Sequence, residues 1–418
     1  MHKSPTISRH SQTLAAQLSL YGAVWLCGPA AGQGSFPPPG PDIPQASTRT
    51  MIDAEFNLDK RLFTWVDTVS GDIWVASYDF ETGQFVPEHG RGVLIEAAVS
   101  TGGDYPGLGF TVNGPEWALG NNIDAIVYTR NNAPGDPKRG NALIGVASLG
   151  ADGTWTRQTL PTPRRNGPYG SLNRNDEAMT SYQDAFGNQY VRRLREGSAE
   201  VPLPGFASPG LAPPTVRFAD SANVVAYQAL FNGVAQSVAF DLDTHSLTQL
   251  TFDSISKDQS WIWSAPEFNG ALALVNNVGK STITLYRPDV DGDGNTVYRV
   301  HASVAAPRGG KWFSLEPFVY QGRSYVIAQY TPRVLRHPAS IWLVGFDPAD
   351  PILRQITPDG LRTEARADPE VLPTAQGVMV IYSKFDTTKC TPANPSTWLC
   401  MQALEGMFRA DTGLPAPN

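Results

Sequence analysis

Three cysteines in 418 residues leave no material for a disulfide framework or a cysteine-ligated metal cluster. Charge of one sign is also scarce: 32 Lys and Arg face 39 Asp and Glu, and no basic run is interleaved with aromatics. The net charge of −7 speaks against nucleic acid as a partner. Six histidines are spread thinly, with His89, His245, His301 and His337 in separate stretches, so no imidazole-rich site is expected. No Gly-x-Ser-x-Gly elbow occurs, which excludes an appended α/β-hydrolase and its triad. Beyond residue 30 no apolar stripe of helical period persists for 11 residues. The class is therefore all-β.

Turn-formers are plentiful, with 39 Gly and 35 Pro, and they punctuate short alternating apolar runs. A cassette of an acid followed by a large apolar residue recurs as Asp53-Ala54-Glu55-Phe56, Gly114-Pro115-Glu116-Trp117, Ala265-Pro266-Glu267-Phe268, Leu315-Glu316-Pro317-Phe318 and Asp368-Pro369-Glu370-Val371. Glu116 and Glu267 lie 151 residues apart, which divides into three units if degenerate copies sit near Asn173–Glu177 and Val216–Asp220. Four short strands and their turns consume roughly 40–50 residues, the period of a propeller blade. Seven such units fit, predicting a seven-bladed β-propeller over residues 50–410. Its channel is expected to be lined by the tracts at Glu55, Glu116, Glu177, Arg217, Glu267, Glu316 and Glu370. Ring closure is expected to pair the stretch near Thr50–Phe56 with the last blade.

Two blade endings, Asp241-Leu242-Asp243-Thr244 with Leu247–Asp253, and Phe346-Asp347-Pro348 with Arg354–Gly360, resemble the TolB-type (WD-like) propeller repeat. The openings Trp263–Phe268 and Leu315–Tyr320 resemble those of the five-bladed glycoside hydrolases of the arabinanase/xylosidase kind. That second resemblance implies acids on inner strands around an axial pocket. With it, Glu267, Glu316, Glu370 and Glu116 are the candidate catalytic carboxylates, Glu267 and Glu316 sharing the work. Aromatic and cationic residues precede these acids in the chain: Tyr105, Tyr169, Lys257, Trp261, Trp263, Trp312 and Arg366. Rings stack on sugar faces and carboxylates bond hydroxyls, so these are the candidate substrate-binding residues for a polysaccharide or oligosaccharide. The bland account of each Pro-Glu pair is structural, with Pro setting the strand start and the acid capping backbone amides. The two function classes are a glycoside hydrolase and a non-catalytic platform for a polysaccharide or protein.

At the N-terminus a weakly basic start, an apolar stretch Leu14–Cys27 too short to span a bilayer, and Ala30-Ala31-Gly32 read as a signal peptide over residues 1–32. Secreted or periplasmic placement follows as an expectation, with no membrane span and a monomer. Residues 33–49 read as a Pro-rich linker and 411–418 as a tail. Loss of Cys27 with the leader leaves Cys390 and Cys400 as an even pair around a nine-residue loop, expected to be bridged. Asp289, Asp291 and Asp293 alternate ahead of Gly294, a spacing that can wrap a structural Ca2+, although Val300 stands where an EF-hand places its bidentate Glu.

Overall fold

A computed structural model describes residues 38–45, 50–86, 92–97, 114–130, 142–184, 186–205, 216–220, 222–332, 339–347, 349–358, 363–390 and 403–417. Within the unit Pro37–Asn418 they form seven antiparallel sheets. In sequence order the sheets occupy residues 51–96, 116–159, 166–202, 217–249, 257–305, 311–355 and 364–411, and they are called blades 1 to 7. The protein is a seven-bladed β-propeller. Each blade presents its first strand to the axis and runs outward by hairpins. The tightest turns are left-handed pairs, Asn232-Gly233 between Phe231 and Val234 and Gln321-Gly322 between Tyr320 and Arg323, whose positive φ values match the twist of a two-residue hairpin.

Each blade is sandwiched between two others, so its inner strands are buried on both faces. Their sequences are accordingly near-continuous apolar runs rather than clean alternations, as in Asp124–Arg130 and Val224–Phe231. Between blades 6 and 7, Tyr325, Ile327, Ile341, Val378, Val380 and Tyr382 make one such layer. Outer strands meet solvent, and Trp155–Thr159 has no fully buried residue. A buried Ile or Leu in these layers contributes about 1.5–3 kcal/mol, so closure of the ring rests chiefly on blade-to-blade packing.

Closure itself differs from the expectation. Met51–Asn57 is the innermost strand of blade 1, and the segment that completes blade 7 is Ile43–Pro44, inside the stretch read as a linker. It pairs antiparallel with Leu404–Asp411, Ile43 opposite Arg409. Two residues make a weak strand, and side chains reinforce it. Arg366 is fully buried and grips Asp42 with two parallel bonds of 2.8 and 2.6 Å. Tyr382 donates to the same carboxylate at 2.7 Å, and Lys384 approaches it at 3.3 Å. The C-terminal tail is also docked: Tyr320 donates to the Pro415 carbonyl at 2.7 Å and Leu414 is buried.

Candidate functional site

Five inner strands break register at the same place. The shift falls between Ile52 and Glu55, Asn166 and Tyr169, Asp258 and Trp261, Phe313 and Glu316, and Ala367 and Glu370. Inside each break stands one residue of positive φ: Asp53 (58°), Gly167 (59°), Gln259 (50°), Ser314 (41°) and Asp368 (57°). A β-bulge bends its strand and re-aims the side chains that follow. Two residues after each of these comes Glu55, Tyr169, Trp261, Glu316 or Glu370. Blades 2 and 4 have no described bulge, and their inner strands begin at the corresponding residue, Glu116 and Arg217. Seven equivalent positions thus ring the axis: four Glu, one Arg, one Tyr and one Trp.

The bulge residues tie neighbouring blades beneath this ring. Asp53 accepts from the Gly114 backbone of blade 2, and Gln259 accepts from the Leu315 backbone of blade 6 at 3.2 Å. Asp53 and Asp368 hydrogen-bond one another, which requires that one of the two carboxyls hold a proton.

Above the ring lies a cavity of about 460 Å³, a size suited to a small ligand or one sugar unit. Glu55, Glu116, Arg217, Trp261, Glu316 and Glu370 line it. Its wall continues along the inner strands through Trp263 and Phe318 to a rim that includes Leu58, Leu172 and Val319, all well exposed. These residues follow the bulges in the chain. The segments that lead into the inner strands, where the sequence placed the substrate-binding side chains, lie on the other side of the bulges. Lys257, Trp312 and Arg366 lie there, whereas Tyr169, Trp261 and Trp263 follow their bulges.

Arg217 is held between rings contributed by the blades on either side, its guanidinium carbon 4.6 Å from the Tyr169 centroid and 3.7 Å from the Trp261 centroid. A terminal nitrogen is 3.9 Å from Glu316 Oε1, an ion pair beyond hydrogen-bonding distance. Burial opposes the charge of Arg217, but Glu316 first and then Tyr169, Glu116 and Glu55 outweigh it and raise its pKa. The acids respond in the opposite sense. Burial, then the charges of Glu116, Asp53 and other acids, lifts Glu55 well above the ordinary range. Burial and the carboxylates of Glu55 and Glu316 do the same to Glu370. Glu316 is pushed up to about 8 by burial, with Arg217 restraining the rise. Of Glu55, Glu316 and Glu370, the carboxyl beside the guanidinium is the one whose ionisation Arg217 favours.

Several expected site residues stand elsewhere. Glu267 lies on the 3-10 turn Pro266–Phe268 between the first two strands of blade 5, and its carboxylate accepts from the Ser324 backbone and, at 2.9 Å, from Ser324 Oγ. It does not line the cavity; Trp261 holds the ring position of that blade. Glu177 is drawn off by Arg195 at 3.3 Å, and Tyr169 takes its place. Trp312 is core, fully buried against Tyr330 and Trp342. Lys257 is buried and bound to Asp253 and the Ile255 carbonyl, at 2.5 and 2.6 Å. Arg366 serves the Asp42 latch. Trp263 lines the cavity wall while its indole nitrogen donates to Ser324 Oγ at 3.0 Å. Tyr105 and Cys400 lie outside the described residues. Glu55 and Arg217 stand at the axis, where the channel-lining tracts were expected, but neither was among the catalytic or binding candidates; Asp53 and Asp368, the bulge acids, were given no role at all. The acid-x-Glu spacing of Asp53-Ala54-Glu55 and Asp368-Pro369-Glu370 is the signal that marks bulge and ring together.

The Asp289 segment forms a hairpin. Asp289 pairs with Arg299 at 2.7 Å, and Asp291 turns onto the Asp293 and Asn295 backbone amides at 3.0 and 2.9 Å. Among the described residues no group of three or more His, Cys, Asp and Glu side chains converges as a metal site would require. No described helix is long and apolar enough to cross a membrane.

Compared with family models and with curated sequences, the chain matches none. Solved structures do resemble it. TolB from Acinetobacter baumannii is 15% identical with a TM-score of 0.40, over 82% of this chain and 77% of that one. A prolyl endopeptidase is 14% identical with a TM-score of 0.45, over 82% of this chain and 46% of its own. An acylaminoacyl peptidase is 11% identical with a TM-score of 0.43, and the matched part is 50% of that chain.

Proposed function

We propose that this propeller binds a glycan unit in its axial cavity and hydrolyses the glycosidic bond with Glu370 and Glu316. The observation that carries the reading is the lining of one cavity by four Glu and indole rings, with Glu316 beside Arg217 and Glu370 on the adjacent blade. Glu370, facing only other acids, keeps its proton and delivers it to the leaving oxygen. Glu316, ionised beside the guanidinium, takes the proton of an attacking water or attacks the anomeric carbon itself. The indoles of Trp261 and Trp263 supply apolar faces for a pyranose, and the hydroxyl-bonding acids Glu55 and Glu116 complete the wall. Export belongs to the same reading, since polymeric glycans lie outside the cell. The expected Cys390–Cys400 bridge goes with it, and a non-reduced digest in which the two peptides stay linked would support both; two alkylated thiols would remove the bridge.

The test is incubation of the purified protein with a panel of plant and microbial polysaccharides, scoring reducing-end release and, separately, binding. Glu370→Gln and Glu316→Gln should each lower release by about 10²–10⁴-fold while the protein stays folded. Wild-type release should climb as pH rises through about 8, where Glu316 ionises. Binding without release would leave a recognition platform in place of a hydrolase. Full release by both variants would take these two residues out of the mechanism.

A further inference from the structure

Arg217 has an arrangement that a merely structural arginine does not need. Both neighbouring rings lie over the guanidinium and confine it from two sides. Its Nε is buried out of a ligand's reach, so the terminal nitrogens, which make no hydrogen bond among the described residues and stand off Glu316 at 3.9 Å, are the donors left for a ligand. A guanidinium with unspent in-plane donors, fixed in orientation and facing a cavity, is built to receive a planar anion with two oxygens. The contrast with Arg366 is direct, since that side chain already has its carboxylate in Asp42.

We propose that Arg217 sets the specificity of the axial cavity by docking the carboxylate of an acidic sugar, a hexuronate unit of a polyanionic glycan. This rests on the reading that the cavity takes a sugar, and adds which kind. The rest of the wall agrees with a monoanion that also carries hydroxyls. Protonated Glu370 and Glu55 can donate to a ligand carboxylate or hydroxyl, whereas a dianionic phosphate would meet every carboxylate that ionises. Trp261 plays two parts, one face on Arg217 and its body on the cavity wall, so the anion site and the stacking surface are held in one geometry.

Calorimetry on the full chain with D-glucuronate, D-glucose, glucose 6-sulfate and N-acetylalanine tests this. Glucuronate should bind at least about tenfold more tightly than glucose, the scale of one charge-assisted bidentate contact. Arg217→Gln should abolish that preference, and Arg217→Lys, which keeps the charge and loses the planar fork, should recover only part of it. The wild-type comparison stands even if a variant fails to fold. Equal binding of glucuronate and glucose would overturn the role of Arg217 and leave the glycan reading intact. Tighter binding of the sulfate ester would overturn the carboxylate. N-acetylalanine binding as well as glucuronate, with glucose not bound at all, would overturn the acidic sugar and the glycan reading with it. No binding by any of the four would overturn both.

Discussion

The propeller has two clusters of buried charge made from the same residue types, and they are arranged oppositely. At the closing segment three acids, Asp42, Glu364 and Glu405, meet two bases, Arg366 and Lys384, at distances of 2.6–3.6 Å. At the axis six acids, Asp53, Glu55, Glu116, Glu316, Asp368 and Glu370, gather around Arg217, and among the described residues Glu316 is the one that forms an ion pair with it, at 3.9 Å. Pairing lowers the pKa of Asp42, because Arg366 and Tyr382 together outweigh the desolvation that would raise it. Burial first, and the crowding of like charges after it, raises Glu55, Glu316, Asp368 and Glu370. A charge cluster that holds a chain end in place is matched; one that faces a cavity keeps unsatisfied groups for something else to meet.

Removing one member of each cluster separates these roles. The largest effect should come from the latch: Arg366→Ala leaves Asp42 buried without its bidentate partner and should cost about 3–5 kcal/mol, read as a lower urea midpoint. An Arg366→Ala protein as stable as wild type would mean that Ile43–Pro44 closes the ring by backbone pairing alone.

The axial acids should behave in reverse. A carboxyl with a raised folded pKa holds its proton in the native state after the unfolded chain has lost it, so its contribution is complete below about 4.5 and is lost as pH rises through about 8. Glu316→Gln should therefore be more stable than wild type at pH 9 by a few kcal/mol, one pKa unit being worth about 1.4 kcal/mol, and nearly equal to it at pH 4. Asp42 has the opposite sign, its depressed pKa giving stability that is present at neutral pH and lost as pH falls through the folded value. Thermal melts across pH should resolve an alkaline loss belonging to the axis and an acid loss belonging to the latch. Identical pH profiles for wild type and Glu316→Gln would break the comparison.

The smallest effect concerns the rings that hold Arg217. Trp261→Ala removes a cation–π contact and one stacking face, and should weaken ligand binding by about 1–2 kcal/mol with little change in stability. Unchanged binding would place the ligand's apolar face elsewhere, with Trp263 as the next residue to substitute.

Turn spacing, the apolar runs and the recurrent acids were enough to read seven blades and to pick Glu116, Glu316 and Glu370 as facing the axis. These are local matters: a hairpin turn needs positive φ where Asn-Gly supplies it, and a strand buried on both faces must be apolar whatever its neighbours. Glu267 and Trp312 stand off the axis for related reasons: the Glu267 cassette falls in the turn after the inner strand, and Trp312 precedes the bulge at Ser314. A cassette names an acid and an aromatic but not the register that aims them, and a single inserted residue turns each side chain to the other face. At Gln259 the bulge puts Trp261 at the axis, six residues before the acid the motif singled out. The pairings that define each cluster are longer-range still. Arg366 and Asp42 are 324 residues apart, and nothing local to either distinguishes that arginine from Arg217. The sequence by itself determined the strands, their period and the supply of acids. Only the closed ring decided which charges meet a partner and which face the cavity, because that depends on seven inner strands converging on one axis.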